Sequence, residues 1–236
     1  MSRRPPPTAA LLVLAKAPVS GTVKTRLCPP LAPRDAARVA AAALLDTLET
    51  VLSVPHTAAL VALAGSLATA ERRAELAALL AVTIHYPQRG DCLGARIAAA
   101  HADAASRLPG TPLLQIGMDT PQLCPADLTD ALAPLTAPRG PDAVLGPALD
   151  GGWWALGLRD PRTASTIAAV PTSRDDTGPR TLRALRAAGL RVALLPERRD
   201  VDTVDDLRAV AADAPTTRFS AEARDALHPR VALTTS

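Results

Sequence analysis

Short apolar runs of strand length alternate with helical stretches from Ala9 onward, and no other feature narrows the fold as much. Residues 9–15, 57–63, 81–86, 112–117, 143–146, 153–158 and 191–195 read as strands. Residues 33–51, 66–80, 93–108, 125–135 and 179–188 read as helices, and a last helix begins near Thr203. Pro33 opens the first helix, and Ser66 caps the second. The strand segments are nearly continuous apolar runs rather than alternating ones. Strands of that kind are buried on both faces, so the pattern predicts a mostly parallel sheet between two helical layers. Such sheets bind ligands beyond the carboxyl ends of their strands, so the loops that follow strands are where chemistry is expected. No internal repeat is present. Residues 1–8 read as a flexible tail, 9–213 as one domain, and 214–236 as a C-terminal tail that is partly ordered.

Composition excludes several classes. Of 236 residues, 48% are hydrophobic, which rules out global disorder, but only 2% are aromatic, so the core must be made of Ala, Leu and Val. No apolar run approaches the roughly 20 residues that span a bilayer. The N-terminal arginines are separated from a barely sufficient apolar run by Pro5, Pro6 and Pro7, which does not fit a secretory signal and predicts a cytoplasmic protein. Cys28, Cys92 and Cys124 form no CxxC pair, and read as reduced thiols filling small apolar spaces rather than as a metal site.

The net charge is +3, and 24 of the 26 basic residues are Arg. They are spread along the chain without a basic block or interleaved aromatics, which argues against nucleic acid and for a small anionic substrate. The only two lysines, Lys16 and Lys24, fall in one loop. Lys and Arg are not interchangeable where a compact ammonium must fit a phosphate, so this loop is a candidate phosphate site.

Four motif loops follow predicted strands, and a fifth segment accompanies them. AKAPVSGTVKTRL offers Gly21 for a turn, two ammonium groups, the Thr25 hydroxyl and the Arg26 fork; it is neither a Walker loop nor GxGxxG. QIGMDTPQL places Asp119 just past Gly117, either as a magnesium ligand or as a turn residue. LDGGWWALGL puts Asp150, Gly151 and Gly152 before Trp153 and Trp154, which must point to opposite faces of a strand. The two glycines either admit a ligand or make a hairpin turn. RRDVDTVDDL offers Asp200 and Asp202, whereas Asp205 and Asp206 suit the start of the helix that Thr203 caps. QRGDCLGAR carries Gln88, Gly90, Gly94 and Arg96, either in a binding role or as an ordinary approach to a helix.

Taken together, these segments resemble a GT-A-like transferase family that occurs beside radical-SAM and selenium-associated proteins. Its patterns QxGxdLGeR, GxDxPxL, DGGyyLiGL and DVDTpeDL occur here in order over nearly the whole chain, with departures at Cys92, Ala95, Trp153 and Trp154. A related group, the 2-phospho-lactate guanylyltransferases, also carries an AKxRL stretch and GDxPxL. The TN that follows DGG there is missing here, which argues against that acceptor. The resemblance implies a Rossmann-like, three-layer α/β/α GT-A (nucleotide-diphospho-sugar transferase) fold. It implies a nucleotide held with Mg2+ or Mn2+ between Asp119 and Asp202, with Asp200 as the alternative ligand. The expected activity is nucleotidyl transfer from an NTP to a small anionic acceptor. Glycosyl transfer from a nucleotide-sugar and non-catalytic nucleotide binding are the alternatives. Lys24, Arg26 and Asp150 are the expected catalytic residues, with Ala15, Lys16, Pro18, Gly21, Thr25, Gln88, Gly90, Gly94, Arg96, Gly117, Gly151, Gly152 and Trp153 as nucleotide or substrate contacts. If Asp119 and Asp202 share a metal, they repel each other without it, so Asp119→Asn should fold at least as stably.

Overall fold

The computed structural model describes residues 6–228. Seven strands form one sheet in the order β3-β2-β1-β4-β6-β5-β7, where β1 is Ala9–Lys16, β2 Thr57–Ala64, β3 Ile84–Pro87, β4 Leu113–Gly117, β5 Ala143–Pro147, β6 Trp153–Leu158 and β7 Val192–Leu194. The pairings are parallel except at β6, which runs antiparallel to both β4 and β5. The α/β fold with a mostly parallel sheet is therefore as expected. β1 lies between two parallel partners with helices on both faces, which is why its run can be apolar throughout: Leu11, Leu12 and Val13 are fully buried.

Helices α1 (Pro33–Leu52), α2 (Arg73–Leu80) and α4 (Pro125–Thr136) cover one face, where Leu44, Leu48, Leu76 and Leu128 pack on Leu11, Val13, Leu114 and Ile116. Helices α3 (Leu93–Arg107) and α5 (Thr177–Ala187) cover the other, together with the 3-10 segment Pro161–Ile167, which the sequence did not announce. Two further helices, α6 (Val204–Asp213) and α7 (Arg218–Leu227), pack on the outer side of α1 around Val39, Leu207, Val210 and Phe219. Residues 39–48 of α1 form an unbroken buried run of ten, because sheet and outer helices enclose them from both sides.

Four expectations change. The helix expected from Ser66 is two pieces: Ser66 caps a 3-10 turn at Leu67–Thr69, and α2 starts only after Arg72 adopts a left-handed φ of 53°. Strand β3 begins three residues late, because the amides of Ala81, Val82 and Thr83 are still bonded to carbonyls of α2. The chain after 213 forms α7, with Phe219 fully buried and its amide bonded to Asp46 at 2.8 Å, so the folded part does not stop at 213. At the other end Thr8 already donates to the His56 carbonyl at 3.0 Å; residues 1–5 and 229–236 of the expected tails lie outside the described residues. No helix among the described residues is long and apolar enough to cross a membrane.

Candidate active site

The loops after β1, β4, β5 and β7 open on one edge of the sheet, around a cleft of about 530 Å3. Hydrogen bonds lock them to each other. The Val201 amide donates to the Asp119 carbonyl at 2.9 Å, joining the loops after β7 and β4. The Leu149 amide donates to the Arg198 carbonyl at 3.1 Å, joining the β5–β6 turn to the loop after β7.

Lys24 stands where these loops converge. It adopts a left-handed backbone (φ 48°, ψ 38°) before the 3-10 turn Thr25–Leu27, whose Leu27 is anchored in the core beneath α6 and α7. That turn drives the Lys24 side chain inward, where only 11% of it is exposed. Its Nζ lies 2.8 Å from Asp119 Oδ1 and 3.4 Å from Asp202 Oδ1, and it also donates to the Val201 carbonyl. Burial alone would lower its pKa, but Asp119 and then Asp202 outweigh burial and raise it, so the ammonium is locked in its charged form. Arg26 Nη1 takes the other oxygen of Asp202 at 2.9 Å while two-thirds of its side chain faces solvent. The two carboxylates expected to share a metal thus both contact an ammonium group of the protein itself.

Asp202 also belongs to a second cluster. Asp150, Asp200 and Asp202 each offer an oxygen within 4.8 Å of the others. Burial, then Asp150 and Asp202, push the Asp200 carboxyl up to about 6. Asp119 and Asp202 thus face Lys24 and Arg26, whereas Asp150 and Asp200 form no ion pair among the described residues. Oxygen donors with uncompensated charge suit a hard divalent cation, and Asp150, Asp200 and Asp202 could hold one. From sequence, Asp200 is the alternative metal ligand and Asp150 a catalytic residue; the structure puts both beside Asp202.

The remaining expected residues divide. Ala15, Lys16, Gln88, Arg96, Gly117, Gly152 and Trp153 line the cleft with Arg26, Asp119, Asp150, Asp200 and Asp202. Lys16 Nζ reaches the Thr22 carbonyl at 2.6 Å, and Gln88 Nε2 donates to Ala15 and Ala62 at 2.8 and 2.9 Å, tying the ends of β1 and β2 together. Trp153 is half-buried in the cleft while Trp154 points to the core and bonds the Pro196 carbonyl at 3.0 Å, the split that a strand requires. Pro18, Gly21, Lys24, Thr25, Gly90, Gly94 and Gly151 do not line it; Lys24 lies behind the lining, buried against Asp119 and Asp202. At Gly94 a Cβ would fall 2.5 Å from the Ala168 carbonyl, and at Gly151 it would fall 1.8 Å from that of Asp175, so neighbouring backbone fills the space reserved for a ligand. Gly151, with φ 86°, is the hairpin-turn residue of the alternative reading. The structure also adds Thr172, Ser173, Arg174, Asp175 and Thr177, from the polar loop PTSRDDTG that passed as a connection, and Gln115 from within β4.

Residues 47–174 match the family described as "Uncharacterized protein conserved in bacteria (DUF2064)". A phosphoenolpyruvate guanylyltransferase of Nocardia farcinica is 37% identical over 195 residues, 79% of either chain. A solved structure from Desulfovibrio desulfuricans, described as a nucleotide-diphospho-sugar transferase, superposes with a TM-score of 0.80 at 26% identity, over 93% of this chain and 95% of that one. CMP:2-keto-3-deoxy-manno-octonic acid synthetase, solved with CTP, shares the fold at a TM-score of 0.53 and 14% identity, over 86% of this chain and 97% of its own. The fold is that of nucleotide-diphospho-sugar transferases, the protein is a transferase, and the chain belongs to the DUF2064 family.

Proposed function

We propose that the protein is a magnesium- or manganese-dependent nucleotidyltransferase that moves a nucleoside monophosphate from an NTP to a small anionic acceptor. The observation that carries this reading is the interleaving of Lys24 and Arg26 with Asp119 and Asp202, beside the Asp150–Asp200–Asp202 cluster, in one cleft. Cations are needed for phosphates, and grouped carboxylates for a divalent cation; either alone would fit many sites. The relative from Nocardia farcinica makes GTP the first donor to try and phosphoenolpyruvate the first acceptor.

In the reaction an acceptor oxygen attacks the α-phosphorus in line. The bond from that phosphorus to the bridging oxygen breaks, and pyrophosphate leaves with the electron pair. Arg26 and Lys16 neutralise charge on the phosphates from the open side of the loop. Lys24, fixed and always charged, sets the potential of the cleft and holds Asp119 and Asp202 together against their mutual repulsion. Asp150, Asp200 and Asp202 would hold the cation, which when bound would supply charge neutralisation on the phosphates. Preorganised charge of this kind is worth about 10²–10³ in rate per contact. The three free cysteines and the nucleotide substrate are consistent with a cytoplasmic location.

The test is to follow pyrophosphate with GTP, phosphoenolpyruvate and Mg2+. Release that needs all three supports the reading, and substitution of other NTPs and other phosphorylated carboxylic acids then defines the range. Release of a free NDP from a nucleotide-sugar would replace it with glycosyl transfer. Nucleotide binding without turnover of any acceptor would leave only a binding protein.

A further inference from the structure

Below the charged rim the cleft reaches Gln115, in the middle of β4. This residue pairs in register with Leu12 of β1 and Leu156 of β6, and it is 2% exposed. An amide at the centre of a sheet needs partners, because an unbonded one costs about 1–3 kcal/mol. Its Oε1 has one: Nε2 of His101 on α3, at 2.9 Å. His101 is itself completely buried, and its Nδ1 has no partner among the described residues.

Those two facts set the orientation of the pair. Were the ring proton on Nδ1, a buried N–H would be orphaned and Nε2 would face the oxygen lone pair to lone pair. With the proton on Nε2, the ring donates to Oε1 and only a lone pair goes unused. Burial keeps the ring neutral, with a pKa near 4. The Gln115 Nε2 group then turns away from His101, towards the cleft that Gln115 lines, and among the described residues no protein acceptor meets it.

Its surroundings are apolar. Leu14 stands two residues further along the neighbouring strand, and Ile97 one turn before His101 on α3; both line the cleft, as does Trp153. Of the charged lining residues, Lys16 ends β1, Arg96 sits in the first turn of α3 with its Nε bonded to the Gly90 carbonyl at 3.0 Å, and the others lie on loops beyond the strand ends. Beside Gln115 a flat heterocycle would find apolar walls and one neutral donor.

We propose that Gln115 donates from Nε2 to a keto oxygen of the nucleobase, and that His101 is the positioning residue that fixes its amide. This rests on the nucleotidyltransferase reading above. A lone N–H donor facing a 6-keto purine finds an acceptor, and facing the 6-amino group of adenine it meets another donor, so the site selects keto over amino purines.

The experiment is a cycle of protein and base changes, read by direct calorimetric binding with Mg2+. The parent should bind GTP about 10- to 100-fold more tightly than the triphosphate of 2-aminopurine riboside, which lacks the 6-keto group. In Gln115→Met, which keeps volume and loses the donor, that ratio should fall towards one while the acceptor KM stays unchanged. His101→Phe, which leaves the amide free to flip, should lower the ratio part of the way. A purely structural pair would weaken both nucleotides equally, and that outcome overturns the proposal. So does a rise in acceptor KM with the nucleotide ratio intact. Should Gln115→Met fail to fold, equal affinity of the parent for the two nucleotides is by itself enough to reject it. A parent that binds GTP without discriminating leaves the general reading standing; a parent that binds no nucleotide ends both.

Discussion

At the rim of the cleft carboxylates and cations meet, mostly on loops; at its floor one neutral imidazole and one amide meet between a helix and a strand. The rim tolerates charge because solvent reaches it: Asp202, Asp119 and Arg26 keep 30%, 38% and 66% of their side chains exposed. The floor is fully enclosed, so it uses only neutral partners. Charge gives the rim strength towards phosphates but little discrimination. A single neutral donor in a dry setting gives little strength but can tell one acceptor from another.

The strongest challenge to this division is Asp202, which touches Lys24 and Arg26 and belongs to the carboxylate cluster. Asp202→Asn should lower kcat by roughly 10³ and abolish the Mg2+ dependence of GTP binding, with pyrophosphate release and calorimetry as the measurements. Activity within tenfold of the parent would mean that the rim is not where the phosphates sit.

The floor is tested by pH. The folded pKa of His101 is depressed to about 4 from an ordinary 6.5, chiefly by burial. The folded state therefore takes up the proton later than the unfolded chain does. The stability it contributes is complete above pH 6.5 and is lost as pH falls towards 4, on the order of 3 kcal/mol in all. Urea midpoints at pH 7, 5.5 and 4.5 should fall more steeply for the parent than for His101→Phe. Parallel pH profiles would mean that the ring is already reached by water.

The smallest effect sharpens the rim. From sequence, removing the Asp119 charge relieves repulsion and leaves the fold at least as stable. The structure reverses that expectation, because Lys24 is buried and Asp119 is its nearest counter-ion. Asp119→Asn should cost about 1–2 kcal/mol, less than a fully orphaned buried charge because Asp202 remains. Thermal unfolding decides it, with Arg73→Ala, on an exposed turn of α2, as an unaffected control.

The rim was legible in the sequence because its residues announce themselves: aspartates just past apolar runs, and two lysines in a chain of arginines. Their partners were less so. Nothing in the spacing shows that Lys24 enters the gap between the carboxylates, since that depends on a left-handed turn and on Leu27 as its anchor. The direction of β6 was hidden, because a strand buried on both faces reads the same either way. At Gly94 and Gly151 the sequence leaves a ligand approach and an ordinary turn both open, and only the fold shows that the approaching backbone is the protein's own. The helix α7 buries little besides Phe219, Ser220 and Ala223, too sparse a stripe to stand out, and it is held by Asp46 from far along the chain. Gln115 passed as part of an apolar strand, since only the folded sheet brings His101 against it.

The enclosed helix α1 has a consequence for how this sequence can drift. A surface helix offers an outward side on which substitutions accumulate without penalty, but through residues 39–48 this one offers none. Alanine at four successive positions, 40–43, is what allows two layers to close on the same helix. Each added methylene there pushes either the sheet or the outer helices, at about 1–3 kcal/mol. Packing alone therefore constrains substitution in this segment, even though it contributes no lining residue to the cleft.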